Sequence, residues 1–178
     1  PPGFGIHSLT IQAGKYGYVN QEDVTETLTL REEPTSLVIS WSNTNSITYV
    51  ESTTLIASYR MNNLTPITTA TITVTIGVDS WLLVWHPGTQ TYRYTFTGAD
   101  SPPGFGVHSI TIDASKTGYE TQVNGTEVLI LSIEPTTFVI SWSNTNSITY
   151  VKSTILIVNF TMSDGSPVTA ATVNVTID

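Results

Sequence analysis

Cysteine is absent from the 178-residue chain, which excludes a disulfide framework, a thiolate nucleophile and a cysteine-ligated zinc site. Charge is scarce too: 11% of the residues are Asp, Glu, Lys or Arg, against about 25% in ordinary soluble domains. Basic residues number 6 against 14 acidic ones, a formal net charge of -8. No basic patch can follow a phosphate backbone, so nucleic acid is not an expected partner. No apolar run approaches the roughly 18 residues that a membrane-spanning helix needs. The opening Pro1-Pro2-Gly3-Phe4-Gly5 carries no basic and apolar leader, so a secretion signal is expected to have been removed or to lie outside this stretch. Amphipathic helical stripes are missing as well. What fills the gap is threonine, with 32 residues, more than all charged side chains together. At 39% hydrophobic residues, the chain has the material for packed cores and is not a disordered tail.

The strongest signal is internal repetition. PPGFGIHSLTI at Pro1–Ile11 returns as PPGFGVHSITI at Pro102–Ile112, and SWSNTNSITYV at Ser40–Val50 returns unchanged at Ser141–Val151. Both pairs are 101 residues apart, and residues 1–77 align with 102–178 without a gap, 46 of the 77 positions being identical. A period near 100 is too long for a solenoid unit of about 20–50 residues and fits one β-sandwich domain per repeat.

Within each repeat the hydrophobic period is 2. Ile72, Val74, Ile76 and Val78 alternate with Thr71, Thr73 and Thr75; Tyr92, Tyr94 and Phe96 alternate with Thr91, Arg93 and Thr95. Ile110, Ile112 and Ala114 mark another core face, as do Leu55, Ala57, Tyr59 and Met61. β-branched and aromatic residues on a half-buried pleat, with Thr on the wet face, suit strands. Turns are expected at His86-Pro87-Gly88-Thr89, Lys116-Thr117-Gly118, Asn124-Gly125 and Ser163-Asp164-Gly165-Ser166. The expected fold is all-β.

Glu33-Pro34 and Glu134-Pro135 are the best joints, because proline disfavours helix before it and gives up a ladder donor. From Thr35, seven strands are expected at 36–41, 53–61, 70–78, 81–85, 91–97, 107–114 and 126–133, the count of an immunoglobulin-like sandwich. Residues 1–34 then hold the last two strands of one repeat, 35–134 a complete domain, and 135–178 the first three strands of another. The ASKTGYE run at Ala114–Glu120, and the strands that follow Thr65-Pro66-Ile67 and Ser166-Pro167-Val168, resemble the tandem immunoglobulin-like repeats of bacterial and archaeal surface proteins. Invasin/intimin-type adhesin stalks, surface-layer proteins and extracellular filaments are built from such modules. The resemblance implies an extracellular or cell-surface structural element whose partners are neighbouring repeats or copies of itself. Residues 1–34 and 135–178 leave unpaired edges with apolar faces. Two explanations stay open: a window on a longer array, or neighbouring chains that complete one another by strand addition.

Chemistry-bearing residues point away from catalysis. No HExxH, GxSxG, P-loop or EF-hand pattern occurs, and a Ser or Thr nucleophile needs a base and an orienter held against it. The chain is expected not to be an enzyme and to need no cofactor or metal. His7 and its repeat equivalent His108 are expected to cap the core with the ring bonded to a backbone group; His86 sits in a turn. Lys15, Lys116 and Lys152, the only lysines, do not suit an isopeptide cross-link, because Lys15 and Lys116 lie in the ASKxGY turn. Glu32, Glu33 and Glu134 are too sparse for calcium at a joint.

Three sets of residues remain as candidate interaction sites. The loop Ser42, Asn43, Thr44, Asn45, repeated with Asn144, Thr145 and Asn146, is identical in both copies while strands drift. Turn geometry at a domain joint is the first explanation, since Asn and Ser form Asx-type turns, and a glycan or protein contact is the second. Trp81 and Trp85, on one face with Tyr92 and Tyr94, are either an aromatic platform for sugar rings or core; core is the simpler reading. Trp41 and Trp142 are assigned to packing. Asn63, Asn124, Asn159 and Asn174 are N-glycan acceptors by sequence, with Asn124 expected in an accessible turn. The alternative to a structural role is therefore an adhesin module that binds glycan or cell-surface protein through the Asn/Ser loops or the aromatic face.

Overall fold

The structure is a computed structural model that describes residues 3–98, 104–150 and 152–177. The Pro-Pro pairs of both PPGFG copies, Val151 and Asp178 lie outside the described residues. The chain is all-β, and no helix occurs among the described residues. Among the described residues, nine strands lie between residues 35 and 134: β5 (Thr35–Trp41), β6 (Ser46–Thr48), β7 (Ser52–Met61), β8 (Thr71–Ile76), β9 (Asp79–Leu82), β10 (Val84–His86), β11 (Thr91–Thr97), β12 (Gly106–Ser115) and β13 (Gln122–Ser132). Before them come β1 (Gly5–Ser8), β2 (Ile11–Ala13), β3 (Gln21–Asp23) and β4 (Thr27–Leu30), and after them β14 (Thr136–Trp142) and β15 (Leu156–Met162).

Two sheets face each other in the middle of the chain, with strand orders β10-β11-β7-β5 and β6-β13-β12-β8-β9. Alternation builds the layer between them. Leu55, Ala57, Tyr59, Tyr92 and Phe96 come from the four-stranded sheet and are buried. Ile72, Val74, Ile110, Ile112 and Leu129 meet them from the five-stranded sheet, each with no exposed surface. Fully burying an aliphatic side chain contributes about 1.5–3 kcal/mol, so these two faces hold the sandwich together. Gly98 lies where the chain passes close to the backbone of Thr48 and Tyr49, and a methyl group there would meet the Thr48 carbonyl.

Nine strands in place of seven have local causes. The expected strand 81–85 is two strands in two sheets: β9 pairs with β8, β10 pairs with β11, and the chain crosses between layers at Leu83. Leu83 is buried, and its N–H donates to the Ile72 carbonyl at 2.9 Å, so the crossing residue has a place in both core and ladder. The tail of the repeated Asn/Ser loop continues as β6, which pairs in parallel with β13, Ile130 opposite Ser46. Val78, expected on the core face, is 96% exposed. Gly77 adopts φ 60°, and the two-residue turn between Ile76 and Asp79 carries Val78 out of the pleat. Asn124-Gly125 is not a turn but part of β13, where the register slips between Ile110 and Ile112. The extra residue there is absorbed as a β-bulge.

The flanking ladders copy those of the middle. β1 pairs with β4, Gly5 opposite Leu30 through Ser8 opposite Thr27, as Gly106 opposes Leu131 through Ser109 opposite Val128. β2 and β3 pair Ile11 with Asp23 and Ala13 with Gln21, the counterparts of Ile112 with Asn124 and Ala114 with Gln122. β14 and β15 pair Thr136 with Met162 through Trp142 with Leu156, as Thr35 pairs with Met61 through Trp41 with Leu55. The third strand expected in 135–178 does not form a ladder: residues 171–177 have no strand structure. Their counterpart β8 is held between β12 and β9, and residues 152–177 supply neither neighbour.

Candidate functional site

The Ser42–Asn45 loop is tied into the sandwich. Asn45 donates from its side chain to the Val128 carbonyl at 3.0 Å, and its own carbonyl accepts the Ile130 N–H at 2.8 Å. Thr53, 2% exposed, donates its hydroxyl to the Thr44 carbonyl at 2.6 Å. The Ser42 hydroxyl accepts the Thr54 N–H at 3.0 Å, and the Thr44 hydroxyl accepts the Ser46 N–H at 3.1 Å. Each small polar side chain has an internal partner except Asn43, which is exposed. In the second copy, Ser143 and Thr145 repeat the local bonds, to Ile155 N–H and Ser147 N–H. Asn144, Thr145 and Asn146 are exposed.

Trp81 and Trp85 sit on strands of opposite sheets and do not make one platform. Trp81 stacks inward against Tyr94 and Phe96, with centroids 5.8 and 6.0 Å apart, and Trp85 against Tyr92 at 4.9 Å. Both indoles are half-buried against the core. Trp41 packs on Phe96 at 6.1 Å and donates its indole N–H to Glu127 at 3.0 Å, whereas Trp142 is exposed.

His7 and His108 each bond the carbonyl four residues back, Gly3 at 2.6 Å and Gly104 at 2.9 Å. The repeated glycine between them, Gly5 with φ 134° and Gly106 with φ 137°, adopts a backbone conformation that a side chain disfavours. Lys15 lies over the Tyr18 ring at 5.3 Å and Lys116 over Tyr119 at 5.4 Å. The same turn therefore forms in both copies, with the Tyr18 N–H on the Lys15 carbonyl and the Tyr119 N–H on the Lys116 carbonyl. A groove of about 670 Å³ is lined by Phe4, Glu32, Thr69, Lys116 and Tyr119 among others. Its lysine is already engaged, donating to the Thr68 carbonyl at 2.6 Å.

Compared with known proteins, the chain matches no family model and no curated protein.

Among the described residues no group of three or more His, Asp or Glu side chains is placed to hold a metal ion. Of the glycan acceptors, Asn63 and Asn159 are exposed, Asn174 is exposed in the unladdered 171–177 stretch, and Asn124 is half-buried in β13. The Asn63 side chain accepts the Thr65 N–H at 3.0 Å, and its counterpart Asp164 accepts the Ser166 N–H at 2.8 Å. That backbone bond, with a Ser166 side-chain bond, holds the Asp164 carboxyl below its usual pKa. Asp23 is lowered in the same way by the Thr25 hydroxyl and N–H.

Two tyrosine hydroxyls tie the core to backbone groups in a way sequence patterning does not single out. The Tyr92 hydroxyl reaches the connection between β7 and β8, where it donates to the Ile67 carbonyl at 2.9 Å and accepts the Ala70 N–H at 2.8 Å. The Tyr59 hydroxyl donates to the Glu120 carbonyl at 2.6 Å. Burial raises both hydroxyls above the ordinary tyrosine pKa, and nearby Glu32 and Glu120 push Tyr59 further the same way. Both therefore stay protonated donors at neutral pH. The available signal is a tyrosine on the core face of an alternating strand, whose hydroxyl needs a partner once buried.

Proposed function

We propose that the chain is a structural component of an extracellular stalk, surface layer or filament, built from immunoglobulin-like repeats of 101 residues. On this reading 1–34 carries the last strands of one repeat, 35–134 is a whole domain and 135–178 begins the next. The recurrence of both flanking ladders in the register of the middle unit carries the reading. Duplicating a framework strand by strand lengthens a protein along one direction; it does not by itself make a reaction centre. The duplicated polar residues fit that role, since Asn45, Ser42 and His108 bond backbone groups of their own unit. A threonine-rich exterior with acceptor sequons at Asn63, Asn159 and Asn174 suits a cell-surface location, keeping the protein soluble with few charges. Its partners are neighbouring repeats or further copies.

A panel of glycans and cell-surface proteins titrated against the purified chain separates this role from an adhesin. A structural element gives no saturable binding. Saturable binding lost in Asn43→Ala would overturn the reading in favour of recognition through the exposed residue of the repeated loop.

A further inference from the structure

The middle sandwich forms because residues 35–77 and 106–132 cover each other. The sequence holds a second copy of each half, and both second copies are uncovered. Ile110, Ile112 and Leu129 have no exposed surface, whereas their counterparts Leu9, Ile11 and Leu28 are 38%, 54% and 42% exposed. Ile72, Val74 and Ile76 are at most 4% exposed, whereas Val173, Val175 and Ile177 are 44%, 62% and 92% exposed. All six counterparts remain apolar, while Thr73 becomes Asn174 and Gln12 becomes Asp113 on the water-facing side of the same strands. An apolar stripe in water is a liability unless it is covered.

The hydrogen-bonding edges match as well. β12 is bonded on one side to β13 and on the other to β8, Thr111 opposite Thr75 through Ser115 opposite Thr71. At the N-terminal end, the edge at residues 10–14 faces no such strand, and at the C-terminal end residues 172–176 keep the apolar alternation of β8 without a ladder. The polar latch is kept too. Trp41 bonds Glu127 across the two halves, and both residues recur, as Trp142 and Glu26. Asn45 bonds backbone groups of β13 at Val128 and Ile130; Asn146 recurs as its exposed counterpart, and Thr27 and Thr29 stand at the positions of Val128 and Ile130.

We propose that residues 136–177 of one copy of this chain dock on residues 5–31 of a second copy, in the register that residues 35–76 use on 106–132. The partner is thus a second copy of the chain, and the inference rests on the structural-module reading and names its contact. Head and tail differ, so the contact is heterologous and repeated addition gives an open filament. The 178-residue chain used in the test carries no second copy of residues 78–101, so the composite formed from it is without counterparts of β9, β10 and β11. Its core is therefore less complete than the middle one, and association is read at high protein concentration.

Leu28→Glu and Val175→Glu test the contact in sedimentation velocity across a concentration series. Both side chains are exposed in the single chain and lie outside the 35–134 core, so neither change threatens the middle fold. The unsubstituted chain grows with concentration, and its Trp142 fluorescence shifts to the blue as the indole is covered. Each variant alone loses association by at least about tenfold in apparent dissociation constant, since a charge enters an apolar contact. The equimolar mixture recovers one contact and stops at two chains, because Leu28→Glu retains a sound 136–177 segment and Val175→Glu a sound 5–31 segment. A chain that stays monomeric throughout overturns the docking, as does a variant that associates normally or a mixture that recovers nothing. A monomer leaves the structural-module reading standing, because that reading fails on saturable ligand binding instead.

Discussion

Replacing Tyr92 by Phe removes the one oxygen atom that ties this core ring to the 66–70 connection and little else. The ring keeps its place against Trp85, 4.9 Å away, and the residue is 2% exposed, so apolar burial is almost unchanged. Lost are the bond to the Ile67 carbonyl and the bond from the Ala70 N–H, leaving a donor and an acceptor of the 66–70 connection without partners. Leaving buried polar groups unsatisfied costs about 1–3 kcal/mol, which in a unit of about 100 residues lowers Tm by roughly 4–8 °C per kcal/mol. The variant also changes the response to alkali. Burial raises the Tyr92 and Tyr59 hydroxyls above the ordinary tyrosine value, so the folded state binds those protons more tightly than the unfolded chain. Their contribution is complete below about pH 10 and is lost as pH rises through the folded-state values. Urea denaturation followed by tryptophan fluorescence, at pH 7 and at several values above 10, reads both effects. Tyr92→Phe is expected to be less stable at pH 7 and to lose stability less steeply in alkali, with Tyr59 supplying the remainder. Equal stability at pH 7, or an unchanged alkaline slope, would refute the assignment of that hydroxyl as a buried, satisfied donor.

Further outcomes follow from comparing equivalent positions. Ile112→Ala, at a site with no exposed surface, costs about 2–5 kcal/mol, whereas Ile11→Ala, at the 54% exposed equivalent, changes the dilute chain by less than about 0.5 kcal/mol; denaturation midpoints check both. Asn45→Ala removes the side-chain bond to Val128 and lowers stability by about 1 kcal/mol, while Asn146→Ala on the exposed second loop leaves the dilute chain unchanged in the same assay. Thr69 is a β-branched residue held at φ 58°, so Thr69→Asn, which tolerates that region, raises stability by about 0.5–1 kcal/mol and the denaturation midpoint with it; a lower midpoint would contradict the strain.

Strands whose two faces differ cleanly were legible in the sequence. The alternation at 53–61, 91–97 and 107–114 yields β7, β11 and β12 with the expected faces inward, all buried except the half-buried Met61 and Tyr94, because a one-residue slip would turn every apolar residue into water. Legibility failed where alternation carries less information. Trp81 to Trp85 is apolar throughout, so nothing local marks Leu83 as the crossing between sheets. Asn124-Gly125 has the composition of a hairpin turn, and only the pairing of β13 with β12 converts it into a bulge. Residues 171–177 keep the alternation of β8 but lack the strands that would hold it, which shows that this pattern needs tertiary partners to become a strand. The turn at Lys116–Tyr119 behaves oppositely: its copy at Lys15–Tyr18 forms with the same cation over the same ring, so it is encoded locally. Among the candidate sites, the repeated loop was visible as a constraint. Its cause, the bonds of Asn45 to β13, lies 83 residues away in the chain and has no sequence signature. The pairing of Trp41 with Glu127 was hidden for the same reason.

Negative-stain electron microscopy of the isolated protein, beside its denatured mass, tests the proposed structural role most directly. The account predicts rods or filaments with a regular bead along the axis, one bead for each sandwich. A mass near 19 kDa beside such filaments means that separate copies are joined, and a much larger mass means that the repeats follow one another in one chain. Small, uniform particles without axial periodicity would contradict the account.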